Sequence, residues 1–172
     1  MDVLDRTLQA QVVEETCFRL RQASGHFGRI FPEIPVLFDL RGKAAGMYRV
    51  RAGQRVIRYN PHIFARYFND NLAQTIPHEV AHYVSDLLHG FRNIRPHGPE
   101  WKQVMAFFGA DSRATCSYDL HGLPQRRYRQ HAYRCGCRQH QLTTIRHNRV
   151  RQNRMRYYCR QCGDPLRYVG ED

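Results

Sequence analysis

Lysine is almost missing from this chain: Lys43 and Lys102 are the only two among 27 basic residues in 172. Positive charge is therefore arginine charge, and a planar guanidinium takes phosphate oxygens two at a time. Long apolar runs are missing as well. No stretch approaches the ~18 residues that a bilayer-spanning helix needs, which excludes such a helix. The opening MDVLDRTLQAQVVEE is acidic and amphipathic, unlike a secretory signal, so a cytoplasmic location is expected. Cysteine is sparse until the tail: Cys17 and Cys116 stand alone, whereas Cys135, Cys137, Cys159 and Cys162 crowd together. In a reducing compartment the four read as metal ligands rather than disulfides, and the other two as small buried side chains. Acidic residues are scarce in the last third. Residues 113–172 carry 13 basic and 4 acidic side chains, a net of +9. Residues 1–112 carry 14 and 11, a net of +3, within a total of +12. That concentration of charge is the kind that meets phosphate.

Apolar residues make up 42%, enough for one folded domain with a small appendage. Val3, Leu8, Val12, Cys17 and Leu20 recur at near-helical spacing, which predicts a helix over 3–22 with Gly25 as its stop. IPVLFDL has strand character between prolines. GMYRVRAGQRVIRYN alternates on both sides of Ala52-Gly53-Gln54 and reads as a hairpin. Asn60-Pro61 opens a helix, HIFARYF, that Asn69-Asp70-Asn71 should break. A further helix is expected over 72–88, ending at Gly90. Pro77 should kink it, or mark its true start. Pro99 opens PEWKQVMAFFG, with Trp101, Val104, Met105 and Phe108 on one face. Residues 109–132 lack periodicity and read as connection. The expected organisation is a core over 1–112, a linker over 113–132 and a basic cysteine-bearing unit over 133–172.

TIPHEVAHYV carries the chemistry. His78 and His82 are four apart and share one helix face, and Glu79 stands beside the first. Two imidazoles so placed can chelate one zinc ion, with the glutamate within reach of its water. Val80, Ala81, Val84 and Leu87 are apolar, so this helix is buried on its other side. Imidazoles and a carboxylate there are costly to bury without a partner. A catalytic zinc takes a third protein ligand. His89 shares the face but stands ~10 Å along the axis at 1.5 Å per residue. The longer pattern HExxHxxGxxH fails at Ser85 and Leu88. His97 and Glu100, in PHGPEW, are the better third ligands, with Asp119 and His121 weaker. A deformylase would need a cysteine ligand ahead of the motif, and no deformylase loop surrounds Cys17.

HEVAHYV, then HGPEWK fifteen residues on, with a cysteine tail behind, resembles the SprT-like zinc metallopeptidase family. The resemblance covers roughly residues 10–169, and its members include bacterial SprT proteins and the DNA-repair protease Spartan. It implies that His78, His82 and His97 bind the catalytic zinc and that Glu79 is the catalytic base. It also implies protein substrates, including DNA-bound or DNA-crosslinked ones. Tyr83, Tyr118 and His121 are the nearest choices for oxyanion stabilisation.

CGC and CRQC are separated by 21 residues, 138–158. Paired cysteine knuckles holding one zinc between short strands describe a zinc ribbon. The first knuckle is one residue short, so His140 is an alternative to Cys135 as a ligand beside Cys137, Cys159 and Cys162. Between the knuckles, Arg149, Arg151, Arg154 and Arg156 offer charge for phosphates, and Tyr157 and Tyr158 offer rings for unpaired bases. The fold expected is α+β: a zincin-like metallopeptidase core, with a small antiparallel sheet and the HExxH helix, followed by the ribbon. Two zinc ions are expected, one catalytic and one structural. The partners expected are a protein substrate and nucleic acid, DNA with single strands favoured, for a monomer without membrane contact. The rival is a non-enzymatic nucleic-acid-binding or regulatory protein that keeps its zinc sites for shape.

Overall fold

The computed structural model describes residues 3–113, 118–124 and 129–170 and shows a mixed α+β chain. It divides into two compact units, Met1–Gln125 and Arg126–Asp172. Cys116 lies outside the described residues. No helix among the described residues is long and apolar enough to cross a membrane.

In the first unit, α1 (Arg6–Phe27) starts at Asp5, whose side chain accepts from the Leu8 N–H, and buries Val12, Thr16, Leu20 and Ala23. It outruns the predicted stop. Gly25 is helical, and the helix ends at Gly28, which takes the left-handed conformation at φ 60°. β1 (Val36–Leu37), β2 (Gly46–Arg51) and β3 (Gln54–Tyr59) form one sheet in the order β1-β3-β2. β2 and β3 are the predicted hairpin, turning at Ala52-Gly53, while β1 pairs parallel to β3. β2 is therefore an outer strand.

Asn60 caps α2 (Pro61–Arg66), accepting from the N–H groups of His62 and Ile63. The expected break at Asn69-Asp70-Asn71 does not occur. The interruption falls at Tyr67, and helix resumes through α3 (Phe68–Asp70), a π turn (Asn71–Thr75) and α4 (Ile76–His89). Asn71 is buried, and its side chain does structural work. It donates to the Tyr67 carbonyl at 2.7 Å and accepts from the Thr75 hydroxyl at 2.7 Å. Pro77 is the second residue of α4, at its first turn, where the missing N–H costs little, and the π turn ends just before it. The expectation that Pro77 marks the start of this helix fits these bounds. After the Gly90 cap and a short loop, α5 (Pro99–Phe107) buries Trp101, Val104 and Met105, while Phe108 caps its end half-exposed. Helix α2 holds the chain beyond α5: Arg66 donates to the His121 carbonyl, and the Tyr67 hydroxyl to that of Asp119.

The second unit pairs β4 (Gln130–Arg134) with β5 (Gln139–Thr143) and with β6 (Arg167–Tyr168), in the order β5-β4-β6. β4 thus begins inside the stretch read as connection, because buried Tyr133 seats it as the central strand. Thr144–Arg151 forms helix α6, where strand was expected between the knuckles. His147 anchors that helix. It is buried, stacks on His131 with ring centroids 3.8 Å apart, and its Nδ1 meets the Tyr133 hydroxyl at 3.1 Å.

Candidate metal centres

Helix α4 buries Ile76, Val80, Ala81 and Val84 in the core, which turns His78 and His82 to the opposite side. The loop after Gly90 brings His97 to them. His97 holds a left-handed backbone at φ 57°, and Gly98 then caps α5. The three Nε2 atoms converge: His78 to His82 is 3.2 Å, His82 to His97 is 3.2 Å, and His97 to His78 is 3.1 Å. Trp101 walls the cluster. Its ring centroid lies 4.8, 5.5 and 4.7 Å from those of His78, His82 and His97, and its indole N–H donates to the His78 carbonyl.

Three neutral imidazoles facing each other through Nε2 cannot all satisfy one another by hydrogen bonds, since each has a single N–H. Burial also disfavours their charged forms. It lowers His78 to about 4, aided by His97, lowers His82 to about 3, aided by both neighbours, and lowers His97 as well. Deprotonated nitrogens at this spacing are what a metal takes. A tetrahedral zinc with bonds of about 2.0–2.1 Å separates its nitrogens by about 3.3 Å, close to the distances here. The set therefore fits a three-histidine cation site. Glu100 is not part of this group, nor are Asp119 and His121.

Glu79 lies beside the histidines, 6% exposed. Its Oε2 accepts the backbone N–H of Tyr48, in β2, at 2.6 Å. Gly46 makes the approach possible, because a Cβ there would sit 2.7 Å from the Glu79 Cγ and Oε1. Burial pushes the Glu79 carboxyl up to about 8, against the lowering effect of the Tyr48 amide. Tyr48 is anchored twice more. Its hydroxyl donates to Asp86 Oδ2 at 2.5 Å, and its ring runs parallel to that of His82. Asp86, one turn beyond His82, also accepts from Arg55 at 2.6 Å. Its burial would raise its pKa, but the Arg55 and Tyr48 hydrogen bonds outweigh that and hold it low. Sequence reasoning missed Gly46, Tyr48, Arg55 and Asp86. Only Gly46, at the head of the alternating run, left any local trace. Of the three residues named for oxyanion stabilisation, Tyr83 is turned away, its hydroxyl donating to the Pro32 carbonyl. Tyr118 stacks on Tyr67, and His121 is exposed.

In the second unit the sulfurs of Cys135, Cys137, Cys159 and Cys162 all lie within 4.8 Å of one another. Cys135 to Cys137 is 3.5 Å and Cys137 to Cys159 is 3.7 Å. Tetrahedral zinc–sulfur bonds of about 2.3 Å give about 3.8 Å, so this set also fits. The backbone N–H groups of Cys162 and Gln161 hold the Cys159 thiol down at about 5, toward the ligating thiolate. His140 stands outside the four, with its Nε2 3.2 Å from the Cys135 sulfur. Arg149, Arg151, Arg154 and Arg156 are exposed, as is Tyr158, whereas Tyr157 is half-buried under the Arg146 guanidinium.

The SprT-like family matches residues 15–121, a span that holds the whole histidine site. The chain belongs to the SprT-like family. Relatives named Protein SprT agree over nearly full length. That of Vibrio parahaemolyticus is 35% identical over 99% of this chain and 98% of its own. That of Serratia proteamaculans is 35% identical over 94% and 91%. That of Pseudomonas paraeruginosa is 38% identical over 91% and 92%. No solved structure matches this SprT-like chain.

Proposed function

We propose that this SprT-like protein is a zinc-dependent metallopeptidase that cleaves protein substrates in association with DNA. The observation that carries the reading is the convergence of three Nε2 atoms on one point with a buried glutamate beside them. In this reading the first unit is a zincin-like core and the second a zinc ribbon. His78, His82 and His97 hold the catalytic ion, and the four cysteines hold the structural one. When bound at three ligands, zinc supplies Lewis-acid activation of a water and of the scissile carbonyl. Glu79 takes the proton of the attacking water and passes it to the leaving amine. The Tyr48 N–H fixes one carboxylate oxygen and leaves Oε1 for that transfer.

Substrate orientation falls to β2. The Tyr48 N–H points away from β3 and is taken by Glu79, so on that edge it is Val50, two residues on, that presents its backbone groups beyond the contact with α4. An extended peptide can add there as a further strand. The basic tail, with Arg149, Arg151, Arg154, Arg156 and Tyr158 exposed, supports the nucleic-acid association.

Glu79→Gln separates an enzyme from a binding protein that keeps zinc for shape. It preserves the side-chain volume and the histidines but cannot accept a proton. Metal content and DNA binding are expected to match wild type, with cleavage of an unfolded substrate, tried with and without DNA, almost abolished. A wild type that never cleaves, yet needs its zinc to bind DNA, would favour the non-enzymatic rival.

A further inference from the structure

The sheet of the first unit buries only one face. Ile57 and Tyr59 point into the core, and Tyr48 and Arg55 reach Asp86 on α4. Strand alternation and the pairing register put Leu37, Arg58 and Met47 in one row on the opposite face, with Val56 beside Arg49 and Gln54 beside Arg51. This outer face carries a groove of about 660 Å³, lined among others by Leu37, Arg49, Arg51 and Val56. Leu37 is 42% and Met47 38% exposed. Arg58 is neutralised by Asp39 at 2.8 Å, and Arg55, at the rim, by Asp86. Arg49 and Arg51 have no ion pair among the described residues. The Arg49 Nε is moreover buried without a hydrogen-bond partner.

We propose that this outer face binds the phosphate backbone of a nucleic acid, with Arg49 and Arg51 as its contacts. The proposal deepens the DNA association put forward above and rests on it. The Arg49 Nε stays covered by the protein, but the outer nitrogens of that guanidinium, and those of the exposed Arg51, have no hydrogen bond or ion pair among the described residues. An anion is the partner that satisfies them. Arg49 and Arg51 alternate along one strand, about 6.8 Å apart at 3.4 Å per residue, a spacing of the order of that between neighbouring phosphates in an extended strand. Leu37, Met47 and Val56 give apolar surface for sugars and bases beside the charges. A second copy of the chain fits poorly, because a two-fold contact would set these arginines against themselves. A small anion would leave most of so open a groove uncovered.

The test uses the full-length, zinc-loaded protein and labelled oligonucleotides, single-stranded and duplex, titrated across a salt series. The variants are Arg51→Gln and Arg49→Gln/Arg51→Gln, with zinc content and thermal midpoint as checks on folding. Each lost phosphate contact should flatten the log–log salt slope by about 0.7 for single strands or 0.9 for duplex. The double variant should therefore lose about 1.4–1.8 of slope and roughly tenfold or more in affinity at 0.1 M salt. Arg51→Gln is exposed and should fold whatever befalls Arg49, and it should lose about half of that slope. Wild-type binding with unchanged slopes in both variants overturns the proposal while leaving the DNA association standing. Loss of polyglutamate binding with oligonucleotide binding intact also overturns it, and assigns the face to an acidic peptide. A wild type that binds no nucleic acid overturns both readings.

Discussion

The backbone N–H of Tyr48 donates to Oε2 of Glu79 at 2.6 Å, across 31 positions of sequence. This bond ties the outer strand β2 to the helix that bears His78 and His82. Strand edge and candidate base are thereby placed as one unit, so a change in either should be felt at the other.

Gly46→Ala tests that closeness. The added methyl would stand 2.7 Å from Glu79 Oε1 and 2.8 Å from the Thr75 methyl. Thermal unfolding should show a loss of about 1–3 kcal/mol, the range for overpacking a well-filled site. Zinc content should stay at the wild-type level while cleavage falls, because Glu79 moves and the histidines do not.

Metal analysis should return two zinc ions per chain. His97→Ala should strip the ion from the histidine site, whereas Glu100→Ala, outside the cluster, should leave the stoichiometry unchanged. Cys159→Ser should remove the other equivalent and destabilise the second unit. If Glu100→Ala empties the core site and His97→Ala does not, the assignment of the third ligand is wrong.

For metal-free protein, pH dependence of stability has a definite sign at Glu79. Burial raises its carboxyl from 4.5 to about 8. Its contribution is therefore fully present below about 4.5 and is lost as pH rises toward 8, because the unfolded chain ionises first. Melting of chelated wild type compared with chelated Glu79→Gln should isolate this loss, with a flatter pH profile in the variant. An identical profile in both would rule out a buried, protonated Glu79.

The exposed arginines of the second unit should dominate the salt dependence of nucleic-acid binding. Replacing Arg149, Arg151, Arg154 and Arg156 by Gln should flatten the slope for single strands by up to about 2.8, at 0.7 per contact. Tyr158→Ala removes a ring that is 58% exposed. It should weaken single-strand binding by about 1–3 kcal/mol at unchanged slope, since stacking is not ionic. Tyr157→Ala should cost less, because its ring is half-buried beneath Arg146.

Local chemistry alone made much of this chain legible. Alternation about Ala52-Gly53 specifies the hairpin, and Asn60-Pro61 specifies a helix start, because both depend on neighbours in sequence. The i, i+4 spacing of His78 and His82 puts them on one side of any helix. The same local reasoning failed where a tertiary contact outweighed propensity. Asn71 reads as a breaker until its side chain is seen bonded to Tyr67 and Thr75. The stretch between the knuckles, expected only to serve a ribbon of short strands, forms a helix over Thr144–Arg151 around buried His147. His97 and Glu100, three residues apart, were equal by spacing. Only the path of the loop after Gly90 and the left-handed turn at His97 bring one of them to the other histidines. Tyr48, Arg55 and Asp86 carry no motif at all. Their roles arise from the packing of a strand edge on a helix, a relation between distant segments that no local pattern encodes.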